Sequence, residues 1–154
     1  MAGHTTTNIT LTESPGGYLD CTAAARLLHA VTFDRMHMSK AAVIVLAGTE
    51  GHANTGRLVN ALQTAREFAD AGDDVELIFD GAGTQWIPEL EDEDSDYHDL
   101  YRAVRDDTSV CDFCSGAFGV DDAVNDAGVV RLDDHDGHPS VRSLVEGGYE
   151  VITF

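Results

Sequence analysis

The stretch "KAAVIVLAG", residues 40–48, is apolar without interruption from Ala41 to Ala47 and closes on a glycine. A continuous apolar run of this length predicts a strand buried on both faces, the habit of parallel sheets. The text around it then alternates. "TGRLVNALQTAREFADAG", residues 55–72, predicts a helix with Leu58, Leu62, Ala65 and Ala69 on one stripe, stopped by Gly72. "DVELIFDG" is a second strand, and "TQWIPELEDEDSDYHDLYRAVRDD" reads as a loop with an acidic knuckle followed by a helix over roughly 94–105. "TSVCDF" is a third strand and "SGAFGVDDAVNDAG" a short helical crossover. "VVRLD" is a fourth strand, "PSVRSLVEGG" a helix with Pro139 at its start, and "YEVITF" a closing strand. Strand–helix alternation of this kind predicts an α/β domain: a three-layer open parallel sheet of about five strands with helices on both faces.

Upstream of this pattern the composition changes. Residues 1–37 hold three acidic and two basic residues, which leaves 25 acidic and seven basic residues for 38–154. The first segment is rich in Thr and Ala and carries a lone Cys21, although "TAAARLLHAV" could form a short amphipathic helix. The expected organisation is an N-terminal extension over 1–37 that is not part of the fold, and a domain over 38–154 that begins at Met38.

Charge bounds the function. Twenty-eight acidic residues against nine basic ones give a net charge of −19 in 154 residues, and Lys40 is the single lysine. Such a field repels phosphate backbones, which disfavours nucleic acid as a partner. The acids are spread along the chain, with "ELEDEDSD" the one dense patch and most simply a solvated loop. This balance points to adaptation to high salt in a halophilic archaeal host, since at about 1 M salt the Debye length falls to roughly 3 Å and repulsion is screened. No apolar run approaches the roughly eighteen residues of a membrane span, and residues 1–20 lack the basic start and apolar block of a signal peptide. The expected location is therefore the cytoplasm, where a C-x-x-C more often means metal, redox or thiol chemistry than a structural staple.

In open parallel sheets, ligands gather at the carboxyl ends of the strands. Three segments should share that rim: "GTEGHANTG" after the first strand, "DGAGTQW" after the second, and Cys111-Asp112-Phe113-Cys114 after the third. The first is Gly-rich and opens a helix, so its amides could hold an anion. It is no P-loop, because Arg57-Leu58 stands after Gly56, and it lacks G-x-G-x-x-G. A plain strand-to-helix loop is the simpler reading, with His52 and Asn54 as candidate lining groups.

The cysteine pair admits several chemistries. Zinc needs four ligands, and Cys111, Cys114, His135 and His138 supply that number, with two residues between the histidines instead of the usual three to five or so. A dithiol redox site would profit from the helix N-terminus, which lowers a thiol pKa, although no W-C-x-x-C accompanies the pair and Asp112, Asp121 and Asp122 oppose thiolate formation. A third possibility is a single working thiol, Cys111, that accepts and passes sulfur as a persulfide. The fourth is two small core residues without chemistry. Trp86 could wall the pocket or pack as a core or subunit-contact aromatic.

Together "KAAVIVLAG…TGRLVNALQTAREF", "VELIFDGAGTQW", "VCDFCSGAFGV" and "LVEGGYEVITF" resemble the DsrE/DsrF-like family, close to its YchN-type branch, over residues 39–154. The resemblance implies a three-layer α/β fold, a homo-oligomer (trimer or hexamer), sulfur donor and acceptor proteins as partners, and no cofactor. It also implies that the sulfur-bearing cysteine lies eight residues before a Gly-Val pair. Cys111 stands eight before Gly119-Val120, and Cys114 matches the second cysteine of the C-x-x-C members, a resolving or assisting thiol. Phe118 stands where relatives often carry an arginine. Whether the protein is an enzyme stays open: if active, it would be a sulfur carrier or transferase.

Overall fold

Strand β1 (Lys40–Val45) buries every residue except Lys40. The computed structural model describes residues 38–154, so the expected extension over 1–37 and its Cys21 lie outside the described residues. β1 pairs in parallel with β2 (Asp74–Phe79) on one side and with β5 (Glu150–Thr153) on the other, Val43 standing between Leu77 and Ile152. β3 (Thr108–Cys111) pairs with β2, and β4 (Val130–Leu132) with β3. The order is β4-β3-β2-β1-β5 with all neighbours parallel, the five-stranded α/β sheet expected from the alternation.

Side chains alternate across a strand, so each strand feeds both faces. Val43, Val45, Leu77, Phe79 and Val110 enter the main core beneath helix α1 (His52–Ala71), which buries Leu58, Ala61, Leu62 and Ala65. Burying a leucine such as Leu58 or Leu62 contributes about 1.5–3 kcal/mol. Gly72 ends α1 in the left-handed conformation, φ 77°, its N–H reaching the Ala69 carbonyl. The steps β1 to β2 to β3 to β4 run one way across the sheet and the return to β5 runs the other. Right-handed crossovers therefore put the last helix, α6 (Val141–Glu146), on the opposite face. There Ser143, Leu144 and Tyr149 line a groove with Glu76 and Ile78.

Local chemistry redraws three predicted elements. The "DGAGTQW" loop is a 3₁₀ turn (Gly81–Trp86) running into the one-turn helix α2 (Ile87–Leu90), with Pro88 in its first turn. The helix expected over 94–105 shrinks to α3 (His98–Arg102) and a 3₁₀ turn at Arg105–Asp107. Upstream of α3, Asp92 accepts from the Asp94 N–H and Ser95 from the Tyr97 N–H, side-chain bonds that compete with helix. The single crossover after β3 is two helices, α4 (Asp112–Ala117) and α5 (Asp121–Ala127), separated at Gly119 with φ 72°. The helix expected to start at Pro139 starts at Val141, with Ser140 capping α6 by accepting from the Ser143 N–H.

Among the described residues no acidic side chain is buried, and no helix is long and apolar enough to cross a membrane. The sole lysine ties the two central strands. Lys40 Nζ lies 3.0 Å from Asp74 and 4.9 Å from the centre of the Tyr149 ring, while the Tyr149 hydroxyl donates to Asp74 at 3.0 Å. Hydrogen bonds from Lys40 and Tyr149 hold the Asp74 carboxyl below its usual range, and burial together with Asp74 pushes Tyr149 up to about 12. A lowered carboxylate adds stability that is present above its unfolded pKa of about 3.9 and is lost as pH falls through the folded value. The stability gap between wild type and Asp74→Asn is thus expected to be constant near neutrality and to close below about pH 4. Urea unfolding at pH 7 and pH 3 checks this, and a gap unchanged at pH 3 rejects it.

Candidate functional site

The C-x-x-C pair is built by the end of β3. Cys111 is both the last residue of the strand and the N-cap of α4, and its sulfur accepts the Cys114 N–H at 3.4 Å. An N-cap side chain meets the third residue of its helix, so a two-residue spacing brings both sulfurs to the same end of α4. Register does the rest. Phe79 pairs with Val110 and Leu132 with Cys111, so the loops leaving β2, β3 and β4 emerge side by side.

From the β2 loop comes Asp80. It caps the 3₁₀ turn by accepting from Gly81 N–H at 2.7 Å, and the Cys114 thiol donates to its Oδ1 at 3.3 Å. From the β4 loop comes His138. Here "HDGH" folds as a two-residue hairpin: His135 and His138 exchange backbone bonds at 2.9 and 3.0 Å, and Asp136 and Gly137 both have positive φ, 53° and 84°. Asp-Gly is the preferred pair for such a turn. The Gly137 carbonyl accepts from Phe113 N–H at 2.8 Å, which pins the hairpin over α4. His138 Nδ1 then lies 3.3 Å from Cys111 Sγ and 3.8 Å from Cys114 Sγ. One donor atom each from Asp80, Cys111, Cys114 and His138 lies within 4.8 Å of all the others.

Both cysteines are free thiols; Cys111 is 0% exposed and Cys114 7%. The Phe113 side chain, 58% exposed, packs on His138 with ring centres 4.9 Å apart and ring planes tilted by 40°. The expected lowering of the thiol pKa by the helix is outweighed. Burial pushes the Cys111 thiol well up, aided by Cys114 and Asp80, while the Cys114 backbone N–H pulls the other way. Two of the three acids expected to oppose the thiolate are occupied elsewhere: Arg131 takes Asp112 at 2.6 Å and also pairs with Asp121, clamping β4 to both crossover helices, while Asp122 faces solvent.

Of the four residues grouped by the zinc reading, three converge and one does not. His135 is exposed, on the far strand of its hairpin, and Asp80 occupies the fourth place. The two histidines are paired across the hairpin, but only His138, on the strand that returns past Gly137, comes within reach of the sulfurs. Asp80 had a signal in the sequence: it is the first residue past β2 on the predicted rim. His52 and Asn54 are not in the group, because they open α1, which follows β1, one strand further from β3; His52 is exposed and Asn54 accepts from Arg57. Trp86 is a core residue, 1% exposed, donating from Nε1 to the Ala47 carbonyl at 2.8 Å.

Residues 41–154 match the sequence profile of the DsrE/DsrF-like family. The chain belongs to that family. Among curated proteins, the uncharacterized protein MJ0733 of Methanocaldococcus jannaschii is 30% identical over 96 residues, covering 62% of this chain and 78% of the relative. Among solved structures, a conserved protein of unknown function from Bacteroides thetaiotaomicron, BT1422, aligns at 12% identity with a TM-score of 0.47, over 73% of this chain and 94% of that one. Within the DsrE/DsrF-like domain, then, the cysteines stand at the carboxyl rim of the sheet beside an imidazole and a carboxylate.

Proposed function

We propose that this DsrE/DsrF-like protein carries persulfide sulfur on Cys111, assisted by Cys114, between donor and acceptor proteins in the cytoplasm, as a homo-oligomer. The observation that carries the reading is the meeting of two free thiols with His138 at 3.3 and 3.8 Å, at the carboxyl end of a parallel sheet. Because burial raises the Cys111 thiol, its proton must leave to a neighbour, and His138 Nδ1 is in reach. The thiolate attacks the outer sulfur of a donor persulfide. The S–S bond of the donor breaks, its inner sulfur leaves as a thiol after taking a proton, and Cys111–S–SH remains. An acceptor thiolate then removes the outer sulfur in the same way and returns Cys111. In a second exit, Cys114 attacks the inner sulfur, hydrosulfide leaves, and the resulting disulfide needs an external dithiol to be reduced.

Cys111 is 0% exposed with His138 against its sulfur, so a donor persulfide reaches it only when His138 and the Phe113 ring packed on it shift. Intact mass spectrometry tests the reading on reduced, metal-free protein incubated with a small persulfide donor. Cys114→Ser should gain the mass of one sulfur atom and keep it, wild type should gain it or release hydrosulfide and lose two hydrogens to the disulfide, and Cys111→Ser should do neither. An unchanged wild-type mass, or full uptake by Cys111→Ser, overturns it.

A further inference from the structure

We infer that Asp80, Cys111, Cys114 and His138 form a four-coordinate site for one divalent cation of the zinc class. This stands whether or not the cysteines carry sulfur. With metal–sulfur and metal–nitrogen bonds of about 2.3 and 2.0 Å, neighbouring donors of a tetrahedron are about 3.5–3.8 Å apart. The separations here are 3.3 Å for Cys111 Sγ to His138 Nδ1, 3.8 Å for Cys114 Sγ to the same nitrogen, and 3.3 Å for Cys114 Sγ to Asp80 Oδ1. All four donor atoms lie within 4.8 Å of one another, so the widest pair has to close by no more than about 1 Å to meet a single ion.

Their origins matter as much as their spacing. Three separate loops supply them, and a backbone hydrogen bond holds each. Asp80 is tied to Gly81 N–H, the His138 hairpin is pinned through Gly137 to Phe113, and Cys111 Sγ receives the Cys114 N–H. Supports of this type orient ligands and tune a metal. Two thiolates and an imidazole select zinc, cobalt or copper over magnesium and calcium, which prefer oxygen cages. Binding of one divalent cation displaces both thiol protons, so the metal would supply the stabilisation of two thiolates that the buried site alone withholds. It also ties up both sulfurs, so a loaded chain cannot take a persulfide.

The test uses the full reduced chain, freed of metal by a chelator, and titrated with Co²⁺ and then with Zn²⁺ against a chromophoric chelator. One equivalent of Co²⁺ should give the sulfur-to-cobalt charge-transfer band and the intense visible bands of a tetrahedral thiolate site, and Zn²⁺ should erase them. Cys111→Ser and Cys114→Ser should lose the charge-transfer intensity. Asp80→Asn and His138→Gln should weaken Zn²⁺ binding at least about tenfold. His135→Ala, outside the group, should bind as wild type and serves as the folding control. Absence of a stoichiometric tetrahedral cobalt spectrum in wild type overturns the site, and so does equal loss in His135→Ala. The sulfur reading is judged separately on metal-free protein, so sulfur uptake without the cobalt spectrum rejects the metal site alone.

Discussion

Gly83→Ala is expected to destabilise the domain by about 3 kcal/mol, a large effect for one methyl group. A Cβ at this position would stand 2.1 Å from the Val45 carbonyl oxygen and 2.8 Å from its carbon. Both obstacles are backbone, so no rotamer change relieves them. Nor can the carbonyl turn away freely, because it accepts the Asp80 N–H at 3.0 Å. The 3₁₀ turn must instead lift off the end of β1, and Asp80, which begins that turn, must move with it. Denaturant unfolding should show a clear drop in midpoint and, in the folded fraction, a weakened Asp80–Cys114 contact. Gly56→Ala makes the opposite control. Its Cβ meets nothing within 4 Å in the exposed part of α1, so it should stabilise by about 0.5–1 kcal/mol through helix propensity. Equal midpoints for Gly83→Ala and wild type would contradict the close approach of the turn to β1.

Trp86→Ala should cost about 3–5 kcal/mol, the range for emptying a buried aromatic site. The indole packs edge-on to Tyr97 with ring centres 6.4 Å apart and spans from the β2 turn to the β1 loop through its bond to Ala47. Removing it leaves a cavity and an unpaired carbonyl. Trp86→Phe keeps most of the volume and loses the hydrogen bond, so it should cost closer to about 1–2 kcal/mol. The comparison of the two by thermal or denaturant unfolding separates packing from hydrogen bonding. A Trp86→Ala chain as stable as Trp86→Phe would mean that the ring is not a core residue.

These two positions share one turn, and that turn illustrates how legible the chain was. "DGAGTQW" reads as a loop at the correct rim, but nothing in its composition says that Gly83 must lie against Val45 or that Asp80 faces a thiol 34 residues later. The acidic stretch before α3 shows the opposite difficulty. Its helical periodicity is real at Leu100 and Tyr101, yet side-chain bonds from Asp92 and Ser95 to local N–H groups hold the segment in turns. Propensity and local hydrogen bonding competed there, and a count of apolar positions cannot weigh them.

The cysteine pair was legible in part. Its position at a strand-to-helix junction follows from "TSVCDFC", and the capping geometry makes both sulfurs neighbours. Its electrostatics were not: the helix terminus favours a thiolate, but burial of the Cys111 sulfur outweighs it. Burial is a property of what packs around the thiol, and the ring that lies against Cys111 Sγ, His138, comes from a hairpin more than twenty residues downstream.

The continuous apolar run at 40–48, the 3.6-residue stripe of α1 and the glycine that ends it were enough to determine a parallel α/β sheet, because burial on both faces and helix amphipathicity are local patterns. Membership in the DsrE/DsrF-like family was likewise written along the chain, in the order of its motifs. Which four side chains meet was decided only in three dimensions. Parallel register sets the loops of β2, β3 and β4 abreast, so that His138 but not His135 reaches the sulfurs and Asp80 completes a group that spacing along the chain could not assemble.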